Sequence, residues 1–369
     1  MKEGFFKRLK GRINYGYLLA LLISLTVALL IGAGIIAVTG RSPLRAYGAL
    51  LEGVFSSWRH IGDTLEYAMV LCLCGLACDI GSRAGIFNVG GEGQLLLGAL
   101  VASRIGALMS GVTPWLAIPC ALLGAVAIGG FYAFIPGILK VKLKVNEVIT
   151  TIMMNSVAVF LCVFFAKGPW KNSVNAEGII VPVEYHFTTL IRSSNLSTAI
   201  ILSAILTFLT WYVLQKTTKG YEMRLVGDNP RFARFAGIKA DRIVILAMVV
   251  SGMMCGLCGM FRVYGAEKIF KTTAVSNEYY FEGLMVAMIA QYQPLPTIII
   301  SLIFSILKIG AMGMQSVGVP IQIYWIIQTA VIFCMAAEKG VRAAISKARE
   351  KRAAERDVRN RREGGAVHE

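Results

Sequence analysis

Long apolar runs, separated by short polar or basic stretches, organise this chain. A helix that crosses a bilayer needs about 20 mostly apolar residues. Runs of that kind fall near 17–39, 63–80, 91–110, 115–135, 147–166, 196–215, 243–263, 279–291, 294–312 and 320–337. The pattern predicts an all-α integral membrane protein with about ten transmembrane helices. Two runs are weak: 63–80 carries Asp63 and Glu66 at its start, and 279–291 is short and opens on Tyr279, Tyr280 and Glu282. Such segments tend to line a path through protein rather than face lipid, so broken or re-entrant helices are expected. The first run follows MKEGFFKRLKGR, a basic start like that of a signal peptide. The run is too long for one and no clear small-residue cleavage site follows, so it reads as a retained first helix. The expected organisation is an N-terminal segment over 1–16, a transmembrane domain over 17–337 and a basic tail over 338–369.

Composition sharpens this reading. Of 369 residues, 56% are hydrophobic and 16% charged, where soluble domains have about 45–50% and about 25%. A soluble enzyme, a disordered chain and a disulfide scaffold are excluded on that ground. The net charge of +16 comes from basic blocks between apolar runs, with no nucleic-acid-binding motif beside them, so no nucleic-acid partner is expected. With ten spans, the N-terminus, Arg83, the 136–146 loop, the 216–242 loop and the tail share one side and hold 26 of the 37 basic residues. The positive-inside rule then places both termini in the cytoplasm. The tail itself reads as a solvated helix or one that contacts membrane lipid headgroups. Outside would lie 40–62 and 167–195, the latter either a lid or a docking surface.

The eight cysteines all lie within apolar runs, including the Cys255-x-x-Cys258 pair in SGMMCGLCGMF. Metal and redox motifs want polar loop surroundings, so these read as small packing residues. No phosphate-binding GxxxxGK[ST] loop, Ser-His-Asp set or HExxH is present, and none of His60, His186 and His368 falls inside a span. No catalytic site and no cofactor are therefore expected on this chain. A short repeat is visible. GEGQLLLGAL from Gly91 and FEGLMVAMIA from Phe281 each put Glu-Gly at the head of an apolar helix that precedes a Pro-started one. In the ten-span topology the two run oppositely, as in inverted repeats of transporters.

Buried polar groups within a bilayer are costly and mark candidate sites. The densest cluster is GIFNVGGEGQ, where four glycines surround Phe87, Asn88, Glu92 and Gln94 at a break between helices. It could hold a small polar solute, or serve as a cap and interhelical hydrogen-bond network. In NEVITTIMMN, Asn146 can cap the helix that starts at Glu147, and Asn155 two turns on could meet solute or a neighbouring helix. In GYEMRLVGDNPRFARFAGI, Asp228 or Asn229 can N-cap a helix with Pro230 in its first turn, and Gly237 can end it. Phe232, Phe235 and Ala236 would be available for packing, with Arg231 and Arg234 exposed.

Those three stretches together resemble the permease subunits of bacterial ABC importers for nucleosides and simple sugars, a family that includes ribose and branched-chain amino acid permeases. The NEVITTIM segment is similar to the longer permease of the nucleoside branch. The resemblance spans about 17–337 and implies a multi-pass protein of the bacterial plasma membrane forming half of a translocation path. It implies a second homologous permease, ABC ATPase subunits that bind the ATP and Mg, and an external substrate-binding lipoprotein as partners. The substrate pathway would involve Phe87, Asn88, Glu92, Gln94, Asn155 and Glu282. Coupling to the ATPase would involve Glu222, Arg224, Gly227, Asn229, Arg231, Arg234 and Gly237, although the Glu-Ala-Ala opening of other importers' coupling signature is replaced by Glu222-Met223-Arg224. The expected mechanism is alternating access driven by ATP. From the residues alone an ion-coupled secondary transporter stays open, with Glu92, Glu282, Asp63 and Glu66 as its candidate acids.

Overall fold

A computed structural model describes residues 15–171, 178–271, 278–335 and 337. The basic tail and most of the 1–16 segment lie outside the described residues. The chain divides into two compact units, 1–49 with 314–369, and 50–313.

The first unit contains α1 (Tyr15–Val38), most of α2 (Pro43–Phe55) and α13 (Gln322–Met335). Gly32 of α1 has no room for a side chain: a Cβ there would lie 2.9 Å from both Ile327 Cγ1 and Tyr47 Oη. The Tyr47 hydroxyl donates to the Leu29 carbonyl.

The larger unit contains α3 (Trp58–Arg83), α4 (Gly91–Leu108), α5 (Pro114–Leu143), α6 (Glu147–Lys167), α7 (Ala199–Lys216), α8 (Thr218–Asp228), α9 (Pro230–Phe235), α10 (Ala240–Arg262), α11 (Tyr279–Ile289) and α12 (Pro294–Met314). A π-helical turn over Val263–Glu267 extends α10. The strands β1 (Ile179–Ile180) and β2 (Ile269–Phe270) are two residues each and pair antiparallel. Every predicted span thus contains a helix, and the protein is an all-α membrane protein. Seven of the described helices are long and apolar enough to cross a membrane; α11 and α13 are shorter.

Several boundaries differ from expectation. Helix α3 starts five residues early because the Ser57 side chain caps it, accepting the His60 N–H at 3.3 Å. Helix α5 runs on through Pro119 and Pro136 to Leu143, so Lys140 and Lys142 lie on a helix rather than in a loop. The 40–62 stretch forms α2, with Pro43 in the first turn where its missing N–H costs nothing.

Burial sorts the helices. Helix α10 packs against α5, α4 and α3. The apolar stretch of α3 is 83% buried, whereas that of α6 is 17% buried. Phe160 and Phe164 of α6 and Phe208 of α7 point outward and stay exposed. Contiguous apolar surface of this kind is a liability in water and ordinary against lipid. The inner helices meet at backbone instead. A Cβ on Gly256 would lie 2.2 Å from the Ala125 carbonyl oxygen, and one on Gly98 2.4 Å from Gly256 Cα. Small residues let helices approach closely where apolar burial alone gives little drive for association.

All eight cysteines are free thiols, six of them buried. Cys74 and Cys258 place their sulfurs 3.8 Å apart between α3 and α10. Among the described residues no group of three or more His, Cys, Asp or Glu could hold a metal ion.

Candidate functional site

The break between α3 and α4 is built from its residues outward. Gly85, at φ +73°, ends α3 in a left-handed turn, with Ile86 N–H bonded to Gly81 O and Gly85 N–H to Ser82 O. This is the double bond pattern that closes helices at glycine. The chain then leaves helical geometry until Gly91. Buried backbone that leaves a helix must find other partners, and α6 supplies two. Thr151 Oγ1 accepts the Val89 N–H at 3.3 Å. Asn155 accepts the Gly93 N–H and donates to Val89 O, both at 2.9 Å.

Asn88 closes the centre. Its amide nitrogen donates to Gln94 Oε1 and to Ser251 Oγ of α10, both at 2.9 Å. Its oxygen accepts the Gly90 N–H at 3.0 Å and the Gln94 amide at 3.3 Å. The two side-chain amides are therefore paired face to face, and each is 1% exposed. The same break meets the N-terminal end of α11. Glu92 Oε2 accepts the Tyr280 backbone N–H at 2.9 Å, and the Tyr280 hydroxyl donates to Asn88 O. A Cβ on Gly91 would sit 2.1 Å from the Tyr280 ring, so the glycine is required by the close approach. The two Glu-Gly helices noted in the sequence thus touch at their N-terminal ends.

The structure brings Asn88, Glu92, Gln94 and Asn155 together. Phe87 is half-buried beside them. Glu282 belongs to a different set: it accepts from Lys308 at 2.7 Å and from the Tyr67 hydroxyl at 2.8 Å. Nearby, Arg262 donates to Glu66, Glu267 and Tyr279 at 2.6 Å each. The rings of Tyr67 and Tyr279 pack edge-on at 5.6 Å and join the two ionic groups. Sequence reasoning missed Arg262, Lys308 and Asp79. Asp79 is fully buried, and its Oδ2 accepts the Thr297 hydroxyl at 2.9 Å. The available signal was an ionisable residue inside an apolar run, which is a functional candidate by default.

The 216–242 stretch folds as two short helices with a kink at Asn229. The Asn229 side chain caps α9 by accepting from Arg231 N at 3.1 Å and Phe232 N at 3.0 Å, and Gly237 follows at φ +81°. Glu222 pairs with Lys219 at 2.8 Å, Arg224 donates to the Leu214 carbonyl, and Arg234 pairs with Asp241 at 2.8 Å. Arg231 is exposed. The packing face of α9 is Ala233, which is buried; Phe232 and Phe235 project outward, 56% and 92% exposed. The phenylalanines are therefore not spent on packing within the chain. Gly227 packs against the end of α3, where a Cβ on it would lie 2.4 Å from the Arg83 carbonyl oxygen.

A different segment shapes the other end of the unit. Tyr185 is fully buried and its hydroxyl donates to the Met109 and Val112 carbonyls. His186 bonds through Nε2 to Val181 O at 2.9 Å. Burial holds its imidazole below the ordinary value of 6.5, with the Lys268 charge adding in the same direction and the Val181 bond opposing.

Residues 60–336 match the family described as "Branched-chain amino acid transport system / permease component". The chain belongs to that family and is a multi-pass membrane permease. Two relatives match along almost their whole length. The guanosine ABC transporter permease protein NupP of Bacillus subtilis is 32% identical over 91% of this chain and 97% of its own. The nucleoside ABC transporter permease protein NupB of Lactococcus lactis is 31% identical over 90% and 94%. The glucose ABC transporter permease protein TsgB13 of Haloferax volcanii is 27% identical over 84% of each. No solved structure matches the chain.

Proposed function

We propose that this permease is the transmembrane subunit of an ATP-driven importer and forms half of a translocation path for nucleosides, or for a related simple sugar. End-to-end similarity to the two nucleoside permeases carries the reading. ATPase subunits bind ATP and Mg on the cytoplasmic side, a second homologous permease completes the path, and an external lipoprotein delivers the solute.

In this reading the chain crosses the membrane ten times, with both termini and the α8–α9 segment in the cytoplasm. Helices α4 and α11 are the equivalent broken helices of an inverted repeat, and their shared Glu-Gly starts and touching N-terminal ends support the equivalence. Helix α9 is the coupling helix. Its outward Phe232 and Phe235 supply the apolar surface that seats in an ATPase groove, and Arg231 its charge. Phe87 lines the path and stacks a base, while Asn88, Glu92, Gln94 and Asn155 hold the break open beside it. Glu282, locked to Lys308, fixes the opposite wall. ATP closes the ATPase dimer, the coupling helix moves, and the two sides of the path open alternately to a weakly held solute.

The test is uptake of radiolabelled guanosine, uridine and glucose into vesicles that carry the chain with its co-purified partners. ATP-dependent accumulation of a nucleoside supports the proposal. Accumulation that follows an ion gradient and persists without ATPase subunits overturns it in favour of an ion-coupled carrier.

A further inference from the structure

One turn of the chain touches three things at once. The Arg83–Gly85 turn that ends α3 lies against Gly227 near the end of α8: a Cβ on Gly227 would come within 2.4 Å of Arg83 O and 3.0 Å of Gly85 N, and one on Gly85 within 3.0 Å of Gly227 Cα. The Arg83 guanidinium Nε donates to Tyr292 O at 2.9 Å. Tyr292 and Gln291 hold left-handed φ of +54° and +56°, in the break that follows α11. On its other side the turn runs through Ile86 and Phe87 into Asn88, the centre of the first break.

The chemistry of these contacts matters. Backbone pressed on backbone has no rotamer with which to absorb a displacement, unlike a side-chain contact, and packed interiors transmit strain. Gly227 also sits on a helix fastened from behind. Met223 and Val226 of α8 are buried, and a Cβ on Gly220 would lie 2.3 Å from Val213 O at the end of α7. Movement of the α8–α9 pair is therefore passed into the turn, as well as into α7 and α10, against which α8 also packs.

We propose that Gly227 and Gly85 are positioning residues for transport, through which movement of the α8–α9 segment reaches both helix breaks by way of the Arg83–Gly85 turn. Gly227 acts by contact within this chain rather than by touching an ATPase. Gly85 adds a second requirement, since its left-handed φ is one that other residues rarely adopt. The inference rests on the assignment of α9 to ATPase coupling.

The experiment uses the complete complex purified with its ATPase subunits. In the wild type, hydrogen exchange is compared with and without a non-hydrolysable ATP analogue. The expected result is a change in peptides covering 83–90 and 290–293 together with those covering 218–237. In Gly227→Ala, solute accumulation per ATP hydrolysed falls by roughly 5–150-fold, the range of ordinary coupling free energies, while the ATPase subunits still co-purify and ATP hydrolysis and the KM for solute hold. A response confined to 218–237, or a Gly227→Ala complex with the wild-type ratio of transport to hydrolysis, overturns the proposal. A wild-type chain that retains no ATPase, or that transports without ATP, instead overturns the importer reading on which it stands.

Discussion

The guanidinium of Arg262 lies between two carboxylates, 2.6 Å from an oxygen of Glu66 on α3 and 2.6 Å from one of Glu267 in the π turn. Charges this deep are favourable only while paired. Arg262→Met leaves the Glu66 carboxylate buried without its cation and is expected to cost about 3–5 kcal/mol, the usual penalty for breaking a buried pair. The double change Glu66→Gln with Arg262→Met costs less than the sum of the singles, because neither charge is then left alone. Thermal unfolding of the purified variants in one detergent measures both.

The pairing of Asn88 with Gln94 makes a separate prediction. Asn88→Ala orphans the Gln94 amide and the Gly90 N–H, at about 1–3 kcal/mol for each unsatisfied group. Uptake should fall in maximal rate with the KM for solute unchanged, since both amides are turned onto each other rather than into open space. A raised KM at unchanged thermal stability would mean that Asn88 touches the solute directly.

Glu92 separates acceptor from charge. Glu92→Gln keeps an oxygen for the Tyr280 N–H, whereas Glu92→Ala strips that cap from α11. The alanine variant should lose about 0.5–2 kcal/mol more than the glutamine one, the range of a lost helix cap. Equal losses in the two melting curves would show that the carboxylate charge matters and the hydrogen bond does not.

Glycine positions should divide sharply. Gly256→Ala drives a methyl to 2.2 Å from the Ala125 carbonyl oxygen, and overpacking of that kind costs about 1–3 kcal/mol. Gly48→Ala meets nothing within 4 Å and exchanges glycine for a better helix former, so it should be neutral or slightly stabilising. Melting temperatures of the two single variants decide the point.

His186 links the 178–198 segment to pH. Its folded-state value lies below the ordinary 6.5, so the unfolded segment takes up the proton first as pH falls. The stability it contributes is present above 6.5 and is lost as the pH drops through the lower folded value. The opening free energy of this segment, taken from hydrogen exchange divided by the intrinsic amide rate at each pH, should fall between neutral and mildly acidic pH, and His186→Gln should flatten that dependence.

Much of this architecture was legible because membrane helices declare themselves by length and apolarity. All ten segments contain helices, the cap at Asn146 was readable from residue type and spacing alone, and the second cap was narrowed to Asp228 or Asn229, of which the structure uses Asn229. The break at Gly85–Gly91 was visible as glycines among polar groups, and two of its partners, Asn155 and Tyr280, lay in stretches already singled out. What joined them was not visible. Ser251 meets Asn88 across 163 positions of sequence, and no local pattern encodes so distant a pairing. Arg262 and Lys308 were hidden differently, each a single charge diluted in a long apolar window, while Asp79 stood at the far end of a run whose visible acids, Asp63 and Glu66, lie at its start. The outward turn of Phe232 and Phe235 was also beyond reach, because a helix of six residues has too little periodicity to reveal its packed face.

The glycine-to-carbonyl contacts among α4, α5 and α10 carry a mechanical consequence. Helices that meet at bare backbone share no rotamers, so they cannot slip past one another in small side-chain steps. They must travel as a single rigid wedge. Any change of shape in the 50–313 unit then has to pivot where helical hydrogen bonding is already interrupted, and 84–90 and 290–293 are two such places at the buried break. The hinges of this permease are set by where its core refuses to bend.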